Sequence, residues 1–277
     1  MSLTTRAAAS ALFCAVLIPS LFAGDKPITI ALTPDGLSQA ERLPLQQYLS
    51  QQLGSPVKLV TPETYSATMD GLSDGSIDFA CLGAVNYVRT HAKIGIVPLA
   101  QRTIDARLHA VFIAGAGTPI HSLRDLKGKK FAYGDINSTS AHFMPYLEMK
   151  EAGLDPDHDM AVRYSGAHPV TVKLVETGIV DAGAVDETVY SSLLNSGKID
   201  TNKVRVFYTT KPFVDYVYVA RKEVSEADRD KFLNALLKLR KGENDDVLRI
   251  LRATKFIKAS DDEYSPVRQV AHELKMF

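Results

Sequence analysis

The residues with the clearest chemical potential are three consecutive hydroxyls, Ser138-Thr139-Ser140, which follow the stretch Phe131-Ala132-Tyr133-Gly134-Asp135-Ile136-Asn137. An apolar run stops there at a Gly-Asp turn. Phe143, Met144, Leu147 and Met149 then recur at helical spacing, which predicts a helix starting near Ser138. The first turn of a helix carries backbone N–H groups without intrahelical acceptors and the positive end of the helix dipole. Phosphate and related oxyanions bind such helix starts, and hydroxyls add donors that turn toward each anion oxygen. One N-cap needs one such residue, so a run of capping residues exceeds what the helix requires and points to an anion.

His168, in the turn Ser165-Gly166-Ala167-His168-Pro169, stands before a second expected helix and is the next candidate. His142 falls just inside the helix after the hydroxyl run and reads as a support, and His109 reads as structural. No histidine pair has the spacing of a zinc site, so no metal is expected. Cys81 in Phe79-Ala80-Cys81-Leu82 fits a buried small hydrophobe, and no positive charge lies beside it to make a nucleophile. The enzyme alternative is serine hydrolysis, with Ser138 or Ser140 as nucleophile and His168 as base. The pattern Gly-x-Ser-x-Gly is absent, which ranks binding above catalysis. Gly115-Ala116-Gly117 lacks the third glycine of a dinucleotide loop, and Lys127-Gly128-Lys129-Lys130 reads as a solvated turn.

Strand-helix alternation must position these groups. Ile28–Leu32 precedes a helical pattern over Ser38–Leu53, Val57–Val60 precedes Tyr65–Leu72, and Ile77–Leu82 precedes Ala84–His91. A β-rich run, Leu108–Ala114, ends at Gly115-Ala116-Gly117-Thr118-Pro119, where a change of domain is expected. The alternation resumes through Lys130–Tyr133, Val162–Tyr164, Pro169–Thr177 and Val180–Val185, and the chain returns through Thr209-Thr210-Lys211-Pro212. The tail from Ser225 onward has a helical pattern. The expectation is an α/β protein with largely parallel sheets covered on both faces. Its domains would be residues 24–117 with 214–277, and residues 118–213, with a ligand cleft between them.

The chain has 277 residues, 45% hydrophobic and 23% charged, enough for two packed cores. Lys plus Arg equals Asp plus Glu at 32 each, so no long-range field gathers nucleic acid and any anion is recognised locally. Arg6 followed by the apolar Ala7–Ala23 has the pattern of an export signal, with cleavage expected after Ala23. Its removal leaves 31 basic against 32 acidic residues, a net charge of about −1. Cys14 lies inside that segment, so Cys81 is the one cysteine of the mature chain and no intramolecular disulfide forms. Leu12-Phe13-Cys14 lacks the small residue that precedes a lipidated cysteine.

Gly134-Asp135-x-Asn137-Ser138-Thr139-Ser140, closed by Pro145, resembles the signature of periplasmic phosphonate-binding proteins of ABC importers, a group that also takes phosphite and related oxyanions. Supporting pieces run over nearly all the mature chain: Thr64-Tyr65, Asp78 to Gly83, Ser122 to Lys129, Gly166-Ala167-His168, and Val180 to Val185. The resemblance implies a type II periplasmic binding protein, two Rossmann-like α/β domains joined by two crossovers that close on a ligand. It implies a monomer without cofactor that hands a small phosphorus oxyanion to a membrane permease. Carried over, Ser138, Thr139 and Ser140 hold the oxyanion, Tyr65 donates from the other domain, His168 lines the cleft, and Asp215 and Asp186 (or its neighbour Glu187) are the cleft acids. Leu108 stands where the family commonly has tyrosine, and Thr188 where aminoalkyl binders have an acid. Those two positions point to phosphite, methylphosphonate or phosphate. The alternative within the same scaffold is a sensor that presents its oxyanion to a membrane histidine kinase, with Cys81 keeping arsenite among the ligands.

Overall fold

The computed structural model describes residues 26–33 and 38–273. The expected export signal, with Cys14, lies outside the described residues. In chain order the elements are β1 (Ile28–Ala31), α1 (Gln39–Leu53), β2 (Val57–Val60), α2 (Tyr65–Asp74), β3 (Phe79–Leu82), α3 (Ala84–Ile94), β4 (Val97–Arg102) and β5 (Ala110–Gly115). There follow β6 (Lys130–Tyr133), α4 (Met144–Glu151), β7 (Ala161–Tyr164), α5 (His168–Glu176), β8 (Ala182–Asp186), α6 (Glu187–Asn195) and β9 (Val204–Thr209). The chain closes with β10 (Val217–Ala220), α7 (Glu226–Leu237), α8 (Asp245–Ile250), β11 (Phe256–Lys258) and α9 (Ser265–Glu273). The tail is thus helical with one strand, β11, that its sequence pattern did not announce.

Two sheets organise two lobes, with strand orders β11-β4-β10-β3-β1-β2 and β7-β6-β8-β5-β9. Both are mixed rather than largely parallel. In the first, β10 runs antiparallel to β3 and β4, and β11 antiparallel to β4. In the second, β5 runs antiparallel to β8 and β9. The reversed strands β5 and β10 are those that enter each sheet from a crossover, so their direction is set by the crossing. Successive strand residues alternate between two apolar layers: Ile30, Phe79 and Tyr218 pack on one side of the first sheet, Ala31, Ala80 and Val219 on the other. The second sheet does the same with Phe112 and Phe131 against Val111 and Ala132. Both faces are covered, as period-two burial in a helix-flanked sheet requires.

The expected change of domain at Gly117 falls one strand late, because β5 belongs to the second sheet. Gly115 to Thr118 is a reverse turn inside that lobe, closed by Thr118 N donating to the Gly115 carbonyl at 2.9 Å. The chain crosses at residues 103–109 and returns at 210–216. There Leu108 and Phe213 exchange two backbone hydrogen bonds of 2.9 Å, and Asp215 N donates to the Asp105 carbonyl at 2.9 Å. The crossing strands therefore run side by side. Below them Arg102 grips Asp105 through Nε (2.7 Å) and Nη2 (2.5 Å), with both side chains buried. The same guanidinium lies over the Tyr216 ring, 5.4 Å from its centroid.

Candidate functional site

The hydroxyl run does open a helix, but the opening turn is a π-helix over Thr139–Phe143 that passes into α4. Phe143 N reaches back to the Ser138 carbonyl at 3.1 Å, and Met144 N to that of Thr139. Pro145 explains part of this geometry. It has no N–H to offer the Ala141 carbonyl four residues back, and that carbonyl instead accepts from Gly134 N at 3.0 Å. The turn is thereby folded onto the end of β6. Gly134 permits the approach, since a Cβ there would lie 2.6 Å from the Ala141 Cβ.

Ser138 acts as the N-cap, its Oγ accepting from Ala141 N at 3.1 Å. Thr139 and Ser140 are left for other work. Thr139 Oγ1 accepts from Val85 N at 3.1 Å, across the cleft at the start of α3. The neighbouring Ala84 N donates to Asp215 Oδ1 at 3.0 Å. Gly83, the N-cap of α3, brings no side chain to those amides, and a Cβ there would sit 3.0 Å from Thr139 Oγ1 and 3.3 Å from Asp215 Oδ1. Two helix starts, one from each lobe, thus converge on Thr139 and Asp215.

The other expected residues also sit at helix starts. Tyr65 is the first residue of α2 and its hydroxyl lies 3.4 Å from that of Tyr216. His168 is the first residue of α5, and Asp186 is the N-cap of α6, its Oδ1 accepting from Thr188 N, Val189 N and the Thr188 hydroxyl. Asp186 N donates to His168 Nδ1 at 3.2 Å. A backbone amide only donates, so Nδ1 is the acceptor and the ring proton rests on Nε2. Burial lowers the pKa of this imidazole and keeps it neutral. Tyr65, Ser138, Thr139, Ser140, His168, Asp186 and Asp215 are all buried.

Three buried side-chain oxygens in this cluster have no protein partner: Ser140 Oγ, Asp186 Oδ2 and Asp215 Oδ2. Buried polar atoms are ordinarily satisfied, so three orphans together mark a place for a polar ligand. The two acids differ. Burial pushes Asp215 up to about 8; the Ala84 amide and Thr139 hydroxyl oppose the shift, while Asp186 and Asp105 add to it. Burial also pushes Asp186 up, but His168, Arg102, the Thr188 hydroxyl and Arg252 outweigh it and hold the carboxyl below the usual range. The cleft therefore offers one neutral acid at pH 7, one ionised carboxylate with an unpaired oxygen, a neutral imidazole N–H, two hydroxyls and two helix starts. That set suits an oxyanion carrying or sharing a proton.

Other readings are settled by position. His142 supports the turn, its Nδ1 2.7 Å from the Ile136 carbonyl and its Nε2 3.1 Å from the Tyr164 hydroxyl. His109 Nδ1 meets the Thr210 carbonyl at 2.7 Å. Glu187 accepts from His109 N at 2.8 Å, and the Thr188 hydroxyl is committed to Asp186. Leu108 is buried in the first lobe's core and brings no donor. Cys81 is buried, and burial pushes its thiol up to about 12. Among the described residues no group of three or more metal-ligating side chains comes together. Sequence reasoning missed Asn86, Arg89 and Tyr216, and the start of α3, whose Ala84 and Val85 amides meet Asp215 and Thr139. Leu82-Gly83-Ala84, a strand end running into a helix without a capping side chain, was the signal for the last.

Two mixed α/β lobes crossed twice by the chain, with helix starts converging between them, define a type II periplasmic binding fold. The profile of the family described as "ABC transporter, phosphonate, periplasmic substrate-binding protein" matches residues 30–264, and the chain belongs to that family. It is 26% identical over 283 residues to "Probable ABC transporter phosphite binding protein PhnD1" of Prochlorococcus marinus (strain MIT 9301), covering 96% of this chain and 95% of that one. The structure of PhnD1 in complex with methylphosphonate superposes with a TM-score of 0.84 at 25% identity, over 91% of this chain and 99% of that one. A binding-protein component of an ABC phosphonate transporter from Pseudomonas aeruginosa superposes with a TM-score of 0.82 at 22% identity, over 91% and 87% of the two chains. A weaker likeness, 22% identity over 225 residues, links 75% of this chain to 38% of the tetrathionate sensor histidine kinase TtrS of Salmonella typhimurium (strain LT2).

Proposed function

We propose that this protein captures a small phosphorus oxyanion, phosphite, methylphosphonate or phosphate, between its lobes and delivers it to an ABC importer. The observation that carries the reading is the set of orphaned oxygens at helix starts, Ser140 Oγ in the π turn, Asp186 Oδ2 at the start of α6 and Asp215 Oδ2 beside the start of α3. Thr139, Ser140 and the first-turn amides donate to the oxyanion, as do the His168 Nε2 proton and the Tyr65 hydroxyl. Asp215 holds or accepts the one proton that ligand and site share. A monoprotonated phosphorus oxyanion can also donate to the ionised Asp186 carboxylate, which a sulfate, fully ionised at neutral pH, cannot. Glu187 and Thr188 are engaged within the protein, which leaves Asp186 Oδ2 as an unpaired carboxylate oxygen beside that position, and aminoethylphosphonate probes whether it takes an amine.

The role is binding without turnover. Among the described hydrogen bonds no imidazole meets Ser138, Thr139 or Ser140, which supports binding over a histidine-activated nucleophile. Residues 1–23 direct export, and the mature chain works as a monomer against a permease in the inner membrane. Presentation to a sensor kinase is the second reading, favoured by the likeness to part of a sensor histidine kinase. The buried Cys81 thiol, held protonated, argues against arsenite in either role.

Calorimetric titration of residues 24–277 with phosphite, methylphosphonate, phosphate, aminoethylphosphonate, sulfate and arsenite tests the reading. Micromolar or tighter binding of one phosphorus oxyanion, with sulfate and arsenite silent, is expected. Binding of sulfate in preference to every phosphorus oxyanion contradicts it.

A further inference from the structure

Asn137 stands immediately before the hydroxyl run and is fixed from its own lobe by Asp135, whose Oδ1 accepts from Asn137 N at 2.7 Å. Its remaining hydrogen bonds all go to the other lobe. The Asn137 carbonyl accepts from Asn86 Nδ2 at 3.0 Å, its Oδ1 accepts from Arg89 Nη1 at 2.7 Å, and its Nδ2 donates to Ser66 Oγ at 3.3 Å. Asn86 and Arg89 lie one turn apart on α3, on the same face, and Ser66 is the second residue of α2. One residue of the second lobe thus ties down both helices of the first that begin at the site. Ser66 is exposed and Asn137 half-buried, whereas Ser138, Thr139 and Ser140 are buried, so this clasp closes the rim above the hydroxyls.

Asn86 adds an independent argument. It is 0% exposed, and its Nδ2 donates to the Asn137 carbonyl on the opposite lobe while its Oδ1 has no protein partner. A buried amide without a partner is costly, so the face of α3 that carries Asn86 is built to meet the second lobe. The Arg89 bond joins a guanidinium to an amide oxygen and is charge-assisted, the stronger kind of hydrogen bond.

We propose that Asn137 is a positioning residue that sets how long a captured ligand is retained, by clasping α2 and α3 across the cleft rim without touching the ligand. A clasp that favours the closed form multiplies every ligand's apparent affinity by the same factor, because it biases an equilibrium common to all of them. It acts on dissociation, since the lobes must part before the ligand leaves. The affinity consequence rests on the oxyanion reading given above, but the conformational consequence does not.

The test compares wild type with Asn137→Ala, Arg89→Ala, the double variant and Asn137→Asp, using phosphite and methylphosphonate in stopped-flow binding. Asn137→Ala is expected to raise the dissociation rate about tenfold for both ligands alike, with the association rate nearly unchanged. The double variant is expected to be no worse than Asn137→Ala, because Arg89 acts through that residue, and Asn137→Asp is expected to restore part of the loss through Arg89. Hydrogen exchange of the protein without added ligand supplies the second readout. The segment 83–90 is expected to exchange faster in Asn137→Ala, with β1 and β2 unaffected. An unchanged dissociation rate, unequal losses for the two ligands, additive single variants or unchanged exchange of segment 83–90 each overturns the proposal. Wild type that binds neither ligand sinks the oxyanion reading instead, and the exchange experiment then decides the clasp alone.

Discussion

Thr139 and Asp215 do different work although they lie side by side. Thr139 Oγ1 accepts from Val85 N, and its hydroxyl proton lies within reach of Asp215 as well as of the proposed ligand. Thr139→Ala therefore removes that hydroxyl and leaves an amide of α3 without its acceptor. We expect it to weaken oxyanion binding by about 1–3 kcal/mol, read by calorimetry. Asp215 titrates. Its carboxyl is pushed up to about 8, against about 3.9 in an unfolded chain, so between those values the folded protein holds a proton that the unfolded chain releases. The stability from this group is present below the lower value and is lost as pH rises through the upper one. Asp215→Asn abolishes that titration, so the melting temperature of the variant relative to wild type should climb from pH 5 to pH 8.5. A constant difference would show that Asp215 is ionised throughout. The same proton predicts that phosphite affinity in wild type falls above about pH 8, where an ionised Asp215 faces a dianion.

Elements place these residues through backbone detail rather than through apolar pattern. The strand-helix alternation was legible because period-two and helical spacings are strong in Phe79–Leu82, Lys130–Tyr133 and Ala182–Val185. The hydroxyl run was legible because three capping residues in a row exceed what one helix needs. The π opening was not, since it depends on where the unclaimed Ala141 carbonyl finds its donor, a contact made with Gly134 on another element. Strand direction and the sheet membership of β5 were also hidden, because an apolar run such as Leu108–Ala114 packs equally well in either lobe. The cross-lobe role of Asn137, read only as part of a motif, was hidden because its partners, Ser66, Asn86 and Arg89, are distant in sequence. Gly134→Ala tests the folding-back of the π turn. Its Cβ would sit 2.6 Å from the Ala141 Cβ, so we expect a loss of about 1–3 kcal/mol in urea unfolding together with weaker ligand binding. Gly117→Ala, with nothing within 4 Å of the new Cβ, should change stability by less than about 0.5 kcal/mol and serves as the control.

At the scale of the whole molecule the two crossings are the parts that must bend, and they are braced at one point. Asp105 holds Arg102 from below and gives its carbonyl to Asp215 N, so a single turn links the hinge to the cleft acid. Asp105→Asn leaves the Arg102 guanidinium buried without its counter-charge and should cost about 3–5 kcal/mol in denaturant unfolding. A loss below 1 kcal/mol would mean that water enters the hinge. On the proposed function, hinge closure would bring the starts of α2 and α3 against those of the π turn, α5 and α6, and would enclose the anion by backbone dipoles and hydroxyls instead of by lysine or arginine. A chain with balanced charge needs no more than this to select an anion.

The most direct test of that account is a crystal structure of the protein grown with methylphosphonate. The account predicts one phosphonate between the lobes, with oxygens within about 2.5–3.2 Å of Thr139 Oγ1, Ser140 Oγ, Asp215 Oδ2 and first-turn amides of the π turn. A phosphonate bound away from Ser138–Ser140, or lobes that close around nothing in this cleft, would contradict it.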